Sequence, residues 1–220
     1  MIEVTYINHM GDDLTVVNAA RVSFGKKSDY MPRVHMGEPK VLQFKDDKLI
    51  KYLAKHKHIS PFGHCFASFH VKAPVFVARQ LVKHKFLRWN EISRRYVDSE
   101  PEFYVPAIWR GRSADKKQGS EGEVKTNANV EYHNNVMLKL YKQQLDEGVS
   151  PEQARMNLPQ SMMTEWYWSG SLDAFVDMCK LRLSVTTQYE TQVVAARVAE
   201  SLDELYPISW AALMEGDDDG

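Results

Sequence analysis

The chain has 220 residues, 44% of them apolar, and a formal charge of -1, which is enough to bury one core and predicts one domain over 1–220 without a globally basic, nucleic-acid-binding surface. No run approaches the roughly 20 apolar residues of a membrane span, and the opening MIEVTYINHMGDD lacks the basic-then-apolar layout of a signal peptide, so a cytoplasmic location is expected. Cys65 and Cys179 stand far apart and outside any CxxC pattern, and read as small buried hydrophobes rather than a disulfide framework or zinc ribbon.

Residues 2–7, IEVTYI, suit a short strand, and GDDLTVVNAARVSF then offers Asp12 or Asp13 as the N-cap of a helix carrying Leu14, Val17 and Ala20. From Gly25 to about Asp46 the chain is polar and reads as a surface loop, after which DDKLIKYLAKHKH resumes a helical pattern through Leu49, Ile50 and Leu53. FASFHVKA alternates as a strand should, and Pro74 sits where a first helical residue would, opening PVFVARQLVKHKF. On that helix the apolar stripe of Val77, Ala78, Leu81 and Val82 runs into Lys85.

Residues 110–129 are rich in Gly, Ser, Lys and Asn and are expected as a second exposed loop. Three helical regions follow. The first holds Val136, Leu140 and Leu145 and ends near Gly148; the second starts at Ser150-Pro151, with Gln153 at capping-box spacing. The third runs from SLDAFVDMCKLRL into VTTQYETQVVAARVAESLDELY, where Thr187 and Glu190 have the same spacing, and residues 214–220 read as a frayed acidic tail.

Residues 83–96, KHKFLRWNEISRRY, concentrate cations on a neutral background, which points to a local site. A lysine pair at a helix end can simply complement the helix dipole. Asn90, Glu91, Ser93 and Arg95 together are harder to read that way, because they supply an amide, a carboxylate, a hydroxyl and a cation, the set that grips a phosphorylated, hydrogen-bonding molecule such as a nucleotide. Ser93 as a nucleophile would need a base in contact, with His84 nearby in sequence, and ranks below a binding role. His56, His58, His64, Cys65 and His70 match neither HExxH nor a paired Cys/His zinc pattern, so no metal site is expected. Single arginines such as Arg155 and Arg182 say little alone.

With these clusters the chain resembles the flavin-dependent thymidylate synthases. The family signature is Arg-His-Arg, seven residues, then Ser, within RHRxxSxNExSxRY; here the segment is Lys83-His84-Lys85, seven residues, then Ser93, with Asn90, Glu91, Arg95 and Tyr96 in place. Resemblance extends to NAARVSF, to HISPFGHCFASFHVKAPVFVARQ, and to ARMNLP with LRLSVTTQYETQ. It implies an α/β fold with a central antiparallel or mixed sheet flanked by helices, assembled as a homotetramer with shared active sites. The implied reaction is reductive methylation of dUMP to dTMP, with FAD as cofactor and NADPH and methylenetetrahydrofolate as co-substrates.

The resemblance also implies roles for residues. Ser60, Lys83, His84 and Lys85, with Glu91 and Thr186, fall at flavin-contacting positions, and Gln80, Glu91, Ser93, Arg95, Arg155 and Arg182, with the adjoining Arg94, at dUMP-holding ones. Arg182 and Ser93 are the catalytic candidates, Arg182 for polarising the uracil. Lys replaces both signature arginines and gives no bidentate contact. Gly63 stands where Glu is common, Arg94 where a small residue is common, and Thr186 where some members carry a flavin-contacting His. No cysteine is placed to add to C6 of a pyrimidine, so a route without an enzyme nucleophile is expected. The alternatives are a related methylase acting on another nucleotide such as dCMP, a nucleic-acid-binding protein using KHKFLRW and Lys116-Lys117, and a catalytically dead flavoprotein or assembly partner.

Overall fold

Alternating side chains over Phe66–Pro74 leave Ala67, Phe69, Val71 and Ala73 on one buried face, and this strand is central to the sheet. The computed structural model describes residues 1–32, 40–114 and 119–215. Its strands are β1 (Glu3–Met10), β2 (Phe66–Pro74), β3 (Arg88–Glu91), β4 (Arg110–Arg112), β5 (Ser120–Glu123) and β6 (Met163–Ser171). The main sheet has the order β1-β2-β6-β3 with every pairing antiparallel, and β4 and β5 form a separate hairpin.

Register sets the core. Phe69 lies opposite Trp168 and Val71 opposite Trp166, while Trp89 of β3 approaches Trp168 from the other side. Trp89 stacks on Trp166 at 4.3 Å, and Phe175 meets Phe69 and Trp168 edge-on at 5.3 and 5.4 Å. Each such buried ring contributes about 2–3 kcal/mol. The opposite face is polar, with Ser169 Oγ donating to Ser68 Oγ at 2.9 Å and His70 3.2 Å from Glu165.

The helices are α1 (Asp13–Arg21), α2 (Phe44–Lys55), α3 (Val75–Leu81), α4 (Val130–Asp146), α5 (Pro151–Ala154), α6 (Leu172–Arg182), α7 (Tyr189–Leu205) and α8 (Pro207–Glu215). Asp12 is the N-cap of α1 and forms a capping box with Thr15. Asp13 is buried and does a different job: its two oxygens accept the amides of Ile208 and Ser209 at 3.1 and 2.8 Å, satisfying orphan donors at the start of α8. Burial raises the Asp13 pKa, and the bonds from Ser209 and Ile208 only partly oppose it.

Several expectations need correction. α2 begins at Phe44, so Asp46 is not in the loop; it is fully buried in the first helical turn, where Arg21 Nε donates to it at 3.1 Å and Ser28 Oγ at 3.0 Å. Pro74 ends β2 as the N-cap of α3, and α3 stops at Leu81, so Lys83–Lys85 form a turn and Lys85 does not extend the apolar stripe. The chain reverses there because Phe86 adopts a left-handed φ of 64° and Leu87 packs on Gly170, where an added Cβ would stand 3.2 Å from Phe86 O.

Ser150 and Pro151 do start α5, but no capping bond forms in a helix of four residues. α7 starts with Gln188 as N-cap, because the Thr187 hydroxyl is spent on Leu181 O at 3.0 Å. The 110–129 stretch holds the β4–β5 hairpin, and Met214 and Glu215, expected in the tail, belong to α8. Lys116, Lys117 and residues 216–220 lie outside the described residues. No helix among the described residues is long and apolar enough to cross a membrane.

Candidate active site

Arg182, the last residue of α6, reaches the turn that follows α3, 98 positions away from its partner there: Arg182 Nε donates to His84 Nε2 at 2.9 Å. Arg182 Nη2 also donates to the backbone oxygen of Gln80 at 3.0 Å. An arginine cannot accept, so His84 Nε2 is the unprotonated nitrogen and the ring is neutral. Burial first, and the Arg182 charge second, push the His84 pKa down to about 4. Burial likewise lowers that of Arg182, which stays charged. Gln80 extends the cluster, its Nε2 donating to Gln188 Oε1 at 2.6 Å.

A second group stands at the edge of the sheet. Glu91, the last residue of β3, accepts Thr164 Oγ1 at 2.6 Å and Trp89 Nε1 at 3.1 Å, so its carboxylate is held in one orientation. Ser93 follows, its Oγ accepting the Arg95 amide at 3.3 Å and Arg95 Nε at 3.5 Å, while Arg95 lies over the Tyr96 ring at 5.2 Å. Arg94 points elsewhere, donating to Ser99 O. His84 makes its contact with Arg182 and none with Ser93, so the base that a serine nucleophile would need is not supplied by this chain's fold.

The remaining expected residues are not brought to either group. Ser60 lines a groove of about 1080 Å³ between α1 and α2, together with Arg21, Lys26, Lys45, Lys48 and His58. Arg155 is exposed in a turn after α5 and donates to Glu152 O at 3.2 Å. Thr186 lies in the α6–α7 connection, its hydroxyl 3.0 Å from Ser184 Oγ. The hairpin reaches it: a Cβ on Gly119 would stand 3.0 Å from Thr186 O. Lys83 and Lys85 are exposed on the turn. Among the described residues no group of three or more His, Cys, Asp or Glu side chains is set to hold a metal ion.

Three features escaped the sequence. Gln188 pairs with Gln80 across 108 positions, a separation with no local signal. Glu91 is oriented by Trp89 of its own strand and by Thr164 of the neighbouring β6. The cations of the Ser60 groove come from two helices and a loop: Arg21 from α1, Lys45 and Lys48 from α2, and Lys26 from the segment between them. An aromatic cavity of about 510 Å³, lined by Phe76, Tyr104, Trp109, Arg110, Gln188 and Glu190, adjoins the Gln80 cluster.

The profile of a family described as thymidylate synthase complementing protein matches residues 5–208. A flavin-dependent thymidylate synthase of Thermus thermophilus is 39% identical over 215 residues, covering 96% of this chain and 75% of the relative. One of Kosmotoga olearia is 36% identical over 217 residues, covering 96% and 89%. The crystal structure of the UMP/dUMP methylase PolB from Streptomyces cacaoi bound with 5-Br dUMP superposes with a TM-score of 0.83 at 28% identity, covering 96% of this chain and 94% of that one.

Proposed function

The chain belongs to the thymidylate synthase complementing protein family, and on that premise we propose that it is a flavin-dependent thymidylate synthase that methylates C5 of dUMP. The observation that carries the reading is the Arg182–His84 bond, which joins the signature turn to the arginine that the family resemblance assigns to the nucleotide. Methylenetetrahydrofolate is the proposed carbon donor and NADPH the reductant, and the location proposed is the cytoplasm.

The donor set fits a flavin. The cations of the Ser60 groove suit its phosphates, while Lys83 and Lys85, flanking His84, suit the negative charge of the reduced ring system. When bound, FAD would relay the reducing equivalents of NADPH. This chain's residues do the rest. Arg182, fixed through Nε and Nη2, keeps Nη1 for polarising a uracil carbonyl, which raises electron density at C5. Glu91, held by Thr164 and Trp89, offers lone pairs to a sugar or base donor, and Ser93 with Arg95 suits the phosphate. Both cysteines are buried, and burial raises their pKa values, which supports a route with no thiolate addition at C6.

Ser60, Arg155, Arg95 and Arg182 stand on separate parts of one chain, which supports a homotetramer whose sites draw residues from several copies. A visible spectrum of the purified protein titrated with FAD, then dUMP, tests the reading. Expected are bound oxidised flavin perturbed by dUMP, and dTMP formation once both co-substrates are added, with less or none from UMP or dCMP. Absence of flavin binding overturns it.

A further inference from the structure

We propose that Gln188 is a positioning residue that makes Gln80 a pure hydrogen-bond acceptor, so that the nucleotide must present a donor to this point of the site. The proposal rests on the reading of the site as one for a pyrimidine nucleotide. It assigns a role to a residue that neither the signature motif nor its spacing marks.

A glutamine amide has two N–H donors and one oxygen acceptor, and usually offers a ligand either end. Gln80 does not have that choice. Its Nε2 faces two acceptors, Phe76 O at 3.4 Å and Gln188 Oε1 at 2.6 Å. Phe76 O is a backbone carbonyl and only accepts, so the amide cannot be turned end for end without setting oxygen against oxygen. Both N–H groups are consumed, and Oε1 has no bond to any described residue.

Gln188 is itself fixed. It is the N-cap of α7, and its backbone oxygen accepts the amides of Thr191 and Gln192, both at 3.0 Å. Rotating its side chain away would leave a Gln80 N–H without its nearer partner.

The neighbour of Gln80 has the opposite polarity. Arg182, bonded to Gln80's own backbone oxygen, can only donate. A donor beside an acceptor matches two adjacent groups on the uracil edge, a carbonyl oxygen and N3–H. Cytosine offers an unprotonated N3 there, and Gln80 Oε1 would meet it lone pair to lone pair. The sugar 3′-hydroxyl is the other donor a nucleotide carries. The shared requirement is a donor, and the test separates its two sources.

Calorimetric binding of nucleotides to the flavin-loaded protein decides the matter. The expectation is that dUMP binds and that one of two analogues loses roughly 10- to 100-fold, the range for leaving a buried polar group unpaired. Loss with N3-methyl-dUMP assigns the donor to the base, and loss with 2′,3′-dideoxyuridine monophosphate assigns it to the sugar. Binding of both within about twofold of dUMP overturns the proposal. No dUMP binding at all would instead overturn the nucleotide reading beneath it.

Gln188→Leu frees one Gln80 N–H, so KM for dUMP should rise more than kcat falls and the preference for dUMP over the losing analogue should shrink. Gln188→Glu, which retains an acceptor, should restore that preference. Full preference in a folded Gln188→Leu variant would count against the assignment, and the analogue series on the unmodified protein needs no variant to fold.

Discussion

Two polar networks tie distant parts of this chain together, and they differ in what they leave over. Around α1, the Asp13 oxygens accept Ile208 and Ser209, and the Tyr206 hydroxyl lies 3.1 Å from Met10 O and 3.0 Å from Phe66 O. That network turns its hydrogen-bonding capacity inward, holding the start of α8 to α1 and the α7–α8 junction to the ends of β1 and β2. Around Arg182, the same kinds of groups hold one another in place yet keep Arg182 Nη1 and Gln80 Oε1 in reserve. Exhausted capacity marks a structural network, and directed spare capacity marks a binding one.

The contrast can be broken most sharply at Arg182. Arg182→Ala should lower dTMP formation by about 10²- to 10³-fold while flavin still binds and the thermal midpoint barely moves. Unchanged turnover in that variant would end the polarising role. Asp13→Ala should do the reverse. It leaves two buried amides without an acceptor, costing about 2–3 kcal/mol, or roughly 4–12 °C in a chain of this size, with turnover per folded molecule retained. Thermal denaturation beside an activity assay reads both.

His84 sharpens the comparison through pH. Its folded pKa of about 4 lies below the value near 6.5 of an unfolded chain. Between those values the unfolded chain binds the extra proton, so stability falls as pH drops from about 6.5 to 4. A proton-NMR titration should find the ring neutral at pH 5.5, and His84→Asn should flatten the stability slope over that window. The smallest effect belongs to Lys85→Arg. A planar fork in place of a point charge should tighten flavin binding a few-fold, read by quenching of flavin fluorescence; weaker binding would show that the turn is shaped for lysine.

Much of this was legible in the sequence, and the omissions have physical causes. The helix after Asp12 and strand β2 declare themselves through capping and alternation. β6 was missed although it is central, because Trp166, Tyr167 and Trp168 are aromatic in succession and mask an alternation in which Tyr167 alone is exposed, at 53%. β3 is four residues of an edge strand, too short for a period. The composition of KHKFLRWNEISRRY pointed to a nucleotide without any coordinates. What no local pattern could show is that His84 and Gln80 find their partners about a hundred residues later.

The sheet order has one consequence for how the chain is made. Among the described residues β6 is the only partner of β3 in the sheet and the inner partner of β2, and its register sets Pro74 against Met163 and Phe66 against Ser171. On a ribosome adding about 5–20 residues per second, several seconds to about 20 s separate the emergence of β2 from that of β6. Through that interval the apolar face of β2 stands open and the basic turn has nothing to dock on. The ligand-gripping segment is synthesised early and anchored late, so a chain stopped short of residue 163 would carry the motif with no scaffold to hold it.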